Sequence, residues 1–217
     1  MNNLTIELIG LFLNALCLSS FFEWTLHRYY MHQPIGNPRL HATGRFMHPI
    51  FWYAFVAHTQ IHHRIFKYDE TYHILNEKDR EKIPMAWWNS LVLTTVGALP
   101  YATLAWTLKD LWVLVVPYAT FWMYYAAYER IHYCMHDPKR RLLERFTLFR
   151  KLNGHHVLHH RYMGKNFNVV FPLADLVFRT LILRSKITFR QVRGESVPDV
   201  QPKLTKQFSR PASLAEV

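Results

Sequence analysis

Glu23-Trp24-Thr25-Leu26-His27-Arg28-Tyr29-Tyr30-Met31-His32 closes a largely apolar run that begins at Leu4, so two imidazoles stand where a hydrophobic helix should end. The same juxtaposition recurs along the chain. His58-Thr59-Gln60-Ile61-His62-His63 follows the apolar, aromatic stretch 46–57, and His132-Tyr133-Cys134-Met135-His136 follows the run 111–128. His155-His156-Val157-Leu158-His159-His160 completes a set that holds eleven of the fourteen histidines. Neutral imidazole is the commonest protein ligand for metals. A tetrahedral zinc uses four ligands, so a set this large predicts two metals side by side.

Spacing divides the ligands. On an α-helix, residues four apart share a face, which pairs His58 with His62, His132 with His136, and His156 with His160. The adjacent pairs His62-His63 and His159-His160 diverge by about 100°, so one member can face one metal and its neighbour the other. His27 and His32 are five apart, about 140° round, and are expected to serve different metals. Such a set suits iron, zinc, copper or nickel. Cys134 lies about 200° round a helix from His132 and reads as a packing residue, as does Cys17 inside its apolar run. Two cysteines build no disulfide framework. Metal-bound imidazoles give their second N–H to a carboxylate or carbonyl. Glu23, Glu129, Asp137 and Asp175 are placed for that role, or alternatively cap and flank helices.

The run 4–26, broken by Glu7, Asn14 and Glu23, would extend roughly 34 Å as a helix, enough to cross a bilayer. The stretches 87–108 and 111–128, separated by Lys109-Asp110, read as a helical hairpin and supply a second and third span. The stretch 46–57 is too short to cross and reads as interfacial or re-entrant, a partial fourth. Every histidine cluster then falls on one membrane face. Residues 137–217 hold sixteen Lys/Arg against six Asp/Glu, whereas residues 1–136 hold ten against nine. Positive charge beside apolar spans marks the cytoplasmic side and is the preferred reading over nucleic-acid binding. No Lys or Arg precedes the first apolar run, so a cleaved signal peptide is not expected. Residues 1–193 form one domain in this reading, and 194–217, with Pro198, Pro202 and Pro211, form a loosely ordered tail.

Taken together these motifs resemble the fatty acid hydroxylase / sterol desaturase superfamily of membrane histidine-box enzymes. The carrying residues are the four clusters, followed by Asn166-Phe167 and by Pro172-Leu173-Ala174-Asp175-Leu176-Val177-Phe178-Arg179-Thr180. The resemblance covers most of residues 20–185. It implies an all-α fold, a multi-pass membrane bundle under a cytoplasmic helical cap with a dimetal site. It implies as ligands His27, His32, His58, His62, His63, His132, His136, His156, His159 and His160, with His155 as an alternative to one of the last group. Glu23, Glu129, Asn166 and Asp175 would support them. His41, His48 and His73 lie outside the pattern. The implied cofactors are two iron ions, zinc being able to occupy the same ligands, with O₂ as co-substrate. The implied reaction is hydroxylation of a membrane lipid, fatty acyl, sphingolipid or sterol-type, in the ER or a bacterial inner membrane. Ala174 stands where the family usually has tryptophan and Arg179 where it usually has glycine. No His-Pro-Gly-Gly run of a fused cytochrome b5 is present, so electrons would come from a separate cytochrome b5- or ferredoxin-like donor.

Three other readings stay open. Carotenoid ring hydroxylation uses a His-x₄-His box like His27–His32, although such enzymes tend to have four residues, not three, between the histidines matching His132 and His136. Desaturation could run on the same metals. A metal-binding membrane scaffold or transporter needs no oxidation at all; a transporter would place ligands near the bilayer midplane, whereas these lie at the ends of the runs. Trp52, Tyr53, Trp87, Trp88, Trp122 and Tyr125 could line an acyl channel or form interfacial belts. Neither a Gly-x-Ser-x-Gly elbow nor a phosphate-binding loop occurs.

Overall fold

The computed structural model describes residues 3–34 and 52–183, and no β-strand occurs among them. Helix α1 (Asn3–Thr25) runs without a break into a π-helical segment, Leu26–Met31. Helix α2 (53–65) begins as an α-helix at Tyr53, turns π-helical over Val56–His62 and closes with His63–Ile65. Two 3₁₀ turns, Glu70–Tyr72 and Glu77–Lys82, lead to α3 (Trp88–Leu108) and α4 (Trp112–His136). The short α5 (Leu142–Arg145), then α6 (Thr147–Arg161) and the short α7 (Leu173–Val177), complete the described chain. The boundary expected at residue 193, the tail 194–217, His41, His48 and most of the stretch 46–57 lie outside the described residues.

Lys109 and Asp110 make the hairpin. Lys109 takes a left-handed conformation, φ 55°, which ends α3, and the Asp110 carboxylate accepts the Trp112 N–H at 2.9 Å to start α4. That carboxylate satisfies one of the amide groups a helix start leaves unpaired. Helices α3 and α4 pack along their length, and α1 packs on α4. Because α1 and α4 run one way and α3 the other, the end of α1, the start of α3 and the end of α4 share one end of the bundle. The Met85 N–H on the Glu129 carboxylate, at 3.3 Å, ties the chain entering α3 to the end of α4.

Two helices, Asn3–Met31 and Trp88–Leu108, are long and apolar enough to cross a membrane. Only 17% of the apolar window of the first and 28% of that of the second is buried, unlike a helix at the centre of a soluble core. Leu4, Ile6, Leu13, Leu99, Trp106 and Leu108 stand exposed along them. Outward apolar surface of this extent points to association with a membrane. The expected third span is not among them. Helix α4 is long enough, but Tyr118, Tyr124, Tyr125 and Tyr128 and its polar end dilute its hydropathy.

At the histidine end, Tyr72, Cys134, Met135, Phe149, Leu152 and Val169 form a second core, so Cys134 packs rather than ligates. The segment 166–182 closes over the end of α1 through polar contacts. Ser20 Oγ donates to the Phe171 carbonyl at 2.6 Å, and Trp24 Nε1 donates to Thr180 Oγ1 at 2.9 Å. Arg179 adopts φ 57°, a left-handed conformation that glycine adopts without steric cost. Here the chain holds the turn with arginine.

Candidate metal centre

The ten imidazoles expected as ligands converge in two groups, each offering five ring nitrogens within 4.8 Å of one another. His27, His32, His58, His63 and His159 form the first group; His62, His132, His136, His156 and His160 form the second. No carboxylate or cysteine belongs to either group among the described residues. The groups abut: the rings of His63 and His160, one from each, lie 4.3 Å apart. His155 belongs to neither. It is half-buried on another face of α6, where the Asp175 carboxylate favours its protonated form. His73 also lies outside both groups, beside Tyr72.

The adjacent pairs divide between the groups, His62 from His63 and His159 from His160, as helical geometry requires. On α4, His132 and His136 share a group, as do His156 and His160 on α6. The two earlier clusters pair otherwise than α-helical spacing predicts. His27 and His32, expected to serve different metals, share the first group with their rings stacked at 5.1 Å. His58 joins His63, not His62. Both exceptions fall where the backbone is π-helical, Leu26–Met31 and Val56–His62. A π-helix bonds i to i+5, so residues five apart come onto one face. The widened turn is what delivers His27 with His32, and His58 with His63, to one point.

Four imidazoles are oriented by main-chain carbonyls. His136 Nδ1 donates to the Tyr72 carbonyl at 2.7 Å, His159 Nδ1 to Lys165 at 2.8 Å and His160 Nδ1 to Phe66 at 2.6 Å. His27 Nδ1 donates to Phe167. A carbonyl can only accept, so these rings carry the proton on Nδ1 and turn the bare lone pair of Nε2 inward. Those lone pairs then meet other ring nitrogens. His136 and His160 both aim Nε2 at His156 Nε2, at 3.1 and 3.0 Å, and a single N–H there could serve only one of them. His159 Nε2 lies 3.1 Å from that of His32 and 3.2 Å from that of His63. His58 Nε2 lies 2.8 Å from that of His27 and 3.0 Å from that of His63. The buried Nε2 atoms of His62 and His132 have no hydrogen-bond partner. Orphaned buried nitrogens and converging lone pairs are costly in a protein interior, and a cation at the centre of each group would satisfy them. With metal–nitrogen bonds of about 2.1 Å, ligands at right angles lie about 3.0 Å apart and tetrahedral ones about 3.4 Å apart. The close pairs named above, at 2.8–3.2 Å, are near enough to share one cation, and every nitrogen of a group lies within 4.8 Å of the others.

The carboxylates expected to receive the imidazole N–H groups do other work. Glu23 accepts the Val169 N–H at 2.6 Å, Asn168 Nδ2 at 3.1 Å and the Tyr124 hydroxyl at 2.6 Å. Asp175 accepts the N–H groups of Phe167 and Asn168, at 3.0 and 2.7 Å, and the Thr180 hydroxyl at 2.6 Å. Between them they fix the peptides 167–169, and with them the Phe167 carbonyl that orients His27. Asn166, at φ 54°, holds the next part of the loop: its Nδ2 donates to the His155 and Ile182 carbonyls and its Oδ1 accepts the Ile182 N–H. Its neighbour Lys165 carries the carbonyl that orients His159. Glu129 touches Tyr125 and Met85 but no ligand ring, and Asp137 pairs with Arg141 and Lys139. Asn168 and Ser20 were not anticipated from the sequence. Asn168 is the more legible of the two, a polar residue in an otherwise apolar stretch.

Burial, and then the neighbouring imidazoles, hold the rings neutral. Burial pushes His136 down to about 3 and His159 to about 4, and carries His32, His58, His62, His63, His132, His156 and His160 well below the ordinary 6.5. Metal binding requires the neutral form. In the unfolded chain the same rings take protons near 6.5, so below that pH the unfolded state binds more protons than the folded one. The contribution of these rings to the stability of the metal-free chain is therefore fully present above pH 6.5 and is lost as pH falls towards 4. Thermal unfolding in mild detergent at about pH 7.5 and about pH 5 should show the lower midpoint at pH 5; equal midpoints would contradict this.

An apolar cleft with an open mouth reaches this centre from the bundle. Phe22, Leu26, Leu93 and Phe121 line it, and His27 and Met31 form its histidine end. Of the aromatics expected to line a channel only Tyr125 does so; Trp87 is exposed. Compared with models of protein families, with characterised proteins and with solved structures, the chain gives no match in any of the three.

Proposed function

We propose that this chain is a membrane-bound oxidoreductase that hydroxylates a lipid hydrocarbon chain at two histidine-held iron ions, with O₂ as co-substrate. One observation carries the reading: His27 belongs to a five-imidazole group and also forms the end wall of an apolar cleft in the bundle. A structural zinc site is closed by four ligands. Each group here offers five nitrogens, more than such a closed site uses.

Bound iron would supply the reduction of O₂ and the removal of hydrogen from an unactivated carbon. In the balance, one oxygen atom enters a C–H bond and the other leaves as water, with two electrons and two protons taken up. The electrons come from a separate donor protein, for which basic residues of the cap such as Lys139, Arg140, Arg150 and Lys151 offer a docking face. The chain's own residues provide binding and enclosure. Phe22, Leu26 and Leu93 remove the hydrocarbon from lipid. Phe66 covers His62 and His136, with ring centroids 5.0 and 4.6 Å away, and Tyr128 stacks on His132 at 5.5 Å. These aromatic covers exclude water from the centre. In this reading α1, α3 and α4 all cross the bilayer, and the histidine end faces the cytoplasm, where the reductant is.

The test is anaerobic reconstitution with ferrous iron, followed by a competent reductase, O₂ and extraction of the lipids. Hydroxylated lipid that is absent from a His159→Ala control is the expected result. A chain that holds two metals and modifies no lipid would be a metal-binding scaffold or transporter instead. An unsaturated product would move the assignment to desaturation, and a hydroxylated carotenoid to ring hydroxylation.

A further inference from the structure

The geometry points to Phe121, seated on Gly97, as the depth stop of the cleft, setting the length of hydrocarbon chain it accepts. This rests on the reading that the cleft takes the lipid's hydrocarbon chain. Helices α1 and α4 run towards the histidines and α3 runs away from them. The lining residues farthest from the centre along the three helices are therefore Ser19 on α1, Phe121 on α4 and Thr94 on α3. Ser19 precedes His27 by eight residues, about 12 Å of helix.

The Phe121 ring lies against the one residue of α3 that leaves room for it. A Cβ placed on Gly97 would stand 2.5 Å from Phe121 Cε1, 2.7 Å from Cδ1 and 3.0 Å from Cζ. Phe22 also meets the ring edge-on, with centroids 5.9 Å apart. Ala15 and Tyr101, each about one turn farther from the histidines than Ser19 and Gly97, share the buried cluster of Phe121. The Tyr101 hydroxyl, bonded to Asn14, fixes that layer. The ring thus separates an open cleft from a packed floor. Removing it opens space towards Ala15 and Tyr101. A methyl group on Gly97 pushes it into the cleft. The two substitutions should move chain-length preference in opposite directions.

The experiment uses the purified full-length chain without metal, so its result is independent of the oxidation. Wild type, Phe121→Ala, Phe121→Leu and Gly97→Ala are each incubated in detergent with an equimolar mixture of saturated fatty acids of about 12 to about 20 carbons. The retained acids are identified by native mass spectrometry. Each further buried methylene favours the longer chain about fourfold, so room for two more raises the ratio of the longer to the shorter acid at least about tenfold. Phe121→Ala should show that rise, Phe121→Leu a smaller one, and Gly97→Ala a fall. If Phe121→Ala does not fold, the opposed shifts of Phe121→Leu and Gly97→Ala decide the matter. Coincident profiles overturn the proposal, as do shifts of the same sign or failure of every protein to retain an acid. None of these outcomes touches the metal assignment, which is read by metal content.

Discussion

Replacing His159 with alanine is expected to lower the metal content of the purified chain from two ions to about one, and replacing His136 to do the same at the other position. The two groups share no residue. His159 Nε2 lies against two members of its own group, His32 and His63, and His136 Nε2 against His156 in the other. Loss of a residue that only orients a ligand weakens metal binding roughly 10- to 100-fold; loss of the ligand itself should exceed that, on the order of a thousandfold. Where four imidazoles still retain an ion, the pairs His58→Ala/His159→Ala and His132→Ala/His136→Ala should empty one group each. His155→Ala and His73→Ala, outside both groups, should keep two ions. Elemental analysis of protein purified in detergent reads all of these directly. Two ions in the His58→Ala/His159→Ala protein, or loss of one in His155→Ala, would show that the groups are wrongly drawn. Lipid turnover should fall at least about a thousandfold in either single variant, because the chemistry engages both positions.

The sequence marks which histidines come together but not how they pair. Ten imidazoles beside apolar runs are visible without coordinates, and so is the hairpin at Lys109-Asp110, since a two-residue polar break between apolar runs leaves the chain one way to go. The pairing of His27 with His32, and of His58 with His63, depends on π-helical turns. Nothing in Leu26–Met31 or Val56–His62 announces them; Val56, Ala57 and Ile61 fit an α-helix as well. The groups that orient the rings are carbonyls of Phe66, Tyr72, Lys165 and Phe167. Every residue carries a carbonyl, so no side-chain pattern can reveal them. Glu23 and Asp175 stand out in the sequence as carboxylates beside the histidine clusters, yet each serves one step away from its expected place, holding the peptide that holds the ring. Two tyrosines of the third run also do work that a count of apolar residues does not show: Tyr124 binds Glu23 and Tyr128 covers His132.

Asp175→Asn should separate the two metal positions without touching a ligand. The carboxylate is fully buried. One oxygen accepts the Phe167 N–H at 3.0 Å and the Thr180 hydroxyl at 2.6 Å, and the other accepts the Asn168 N–H at 2.7 Å. An amide in its place has one acceptor oxygen and must point an NH₂ at a donor. That leaves a buried N–H unsatisfied, at a cost of about 1–3 kcal/mol. Alanine abandons all three donors and should cost about 3–5 kcal/mol. The disturbance falls on the 167–169 peptides, whose Phe167 carbonyl sets the tautomer and angle of His27. Metal affinity at the group containing His27 should drop roughly 10- to 100-fold. The other group takes its orientation from Tyr72 and Phe66, far along the chain, and should keep its affinity. Competition with a chelator, monitored by the release of each ion, distinguishes the two. Equal loss at both groups, tracking the fall in thermal midpoint, would reduce Asp175 to a residue that only stabilises the fold. Loss confined to one group would make it a positioning residue acting through a single carbonyl.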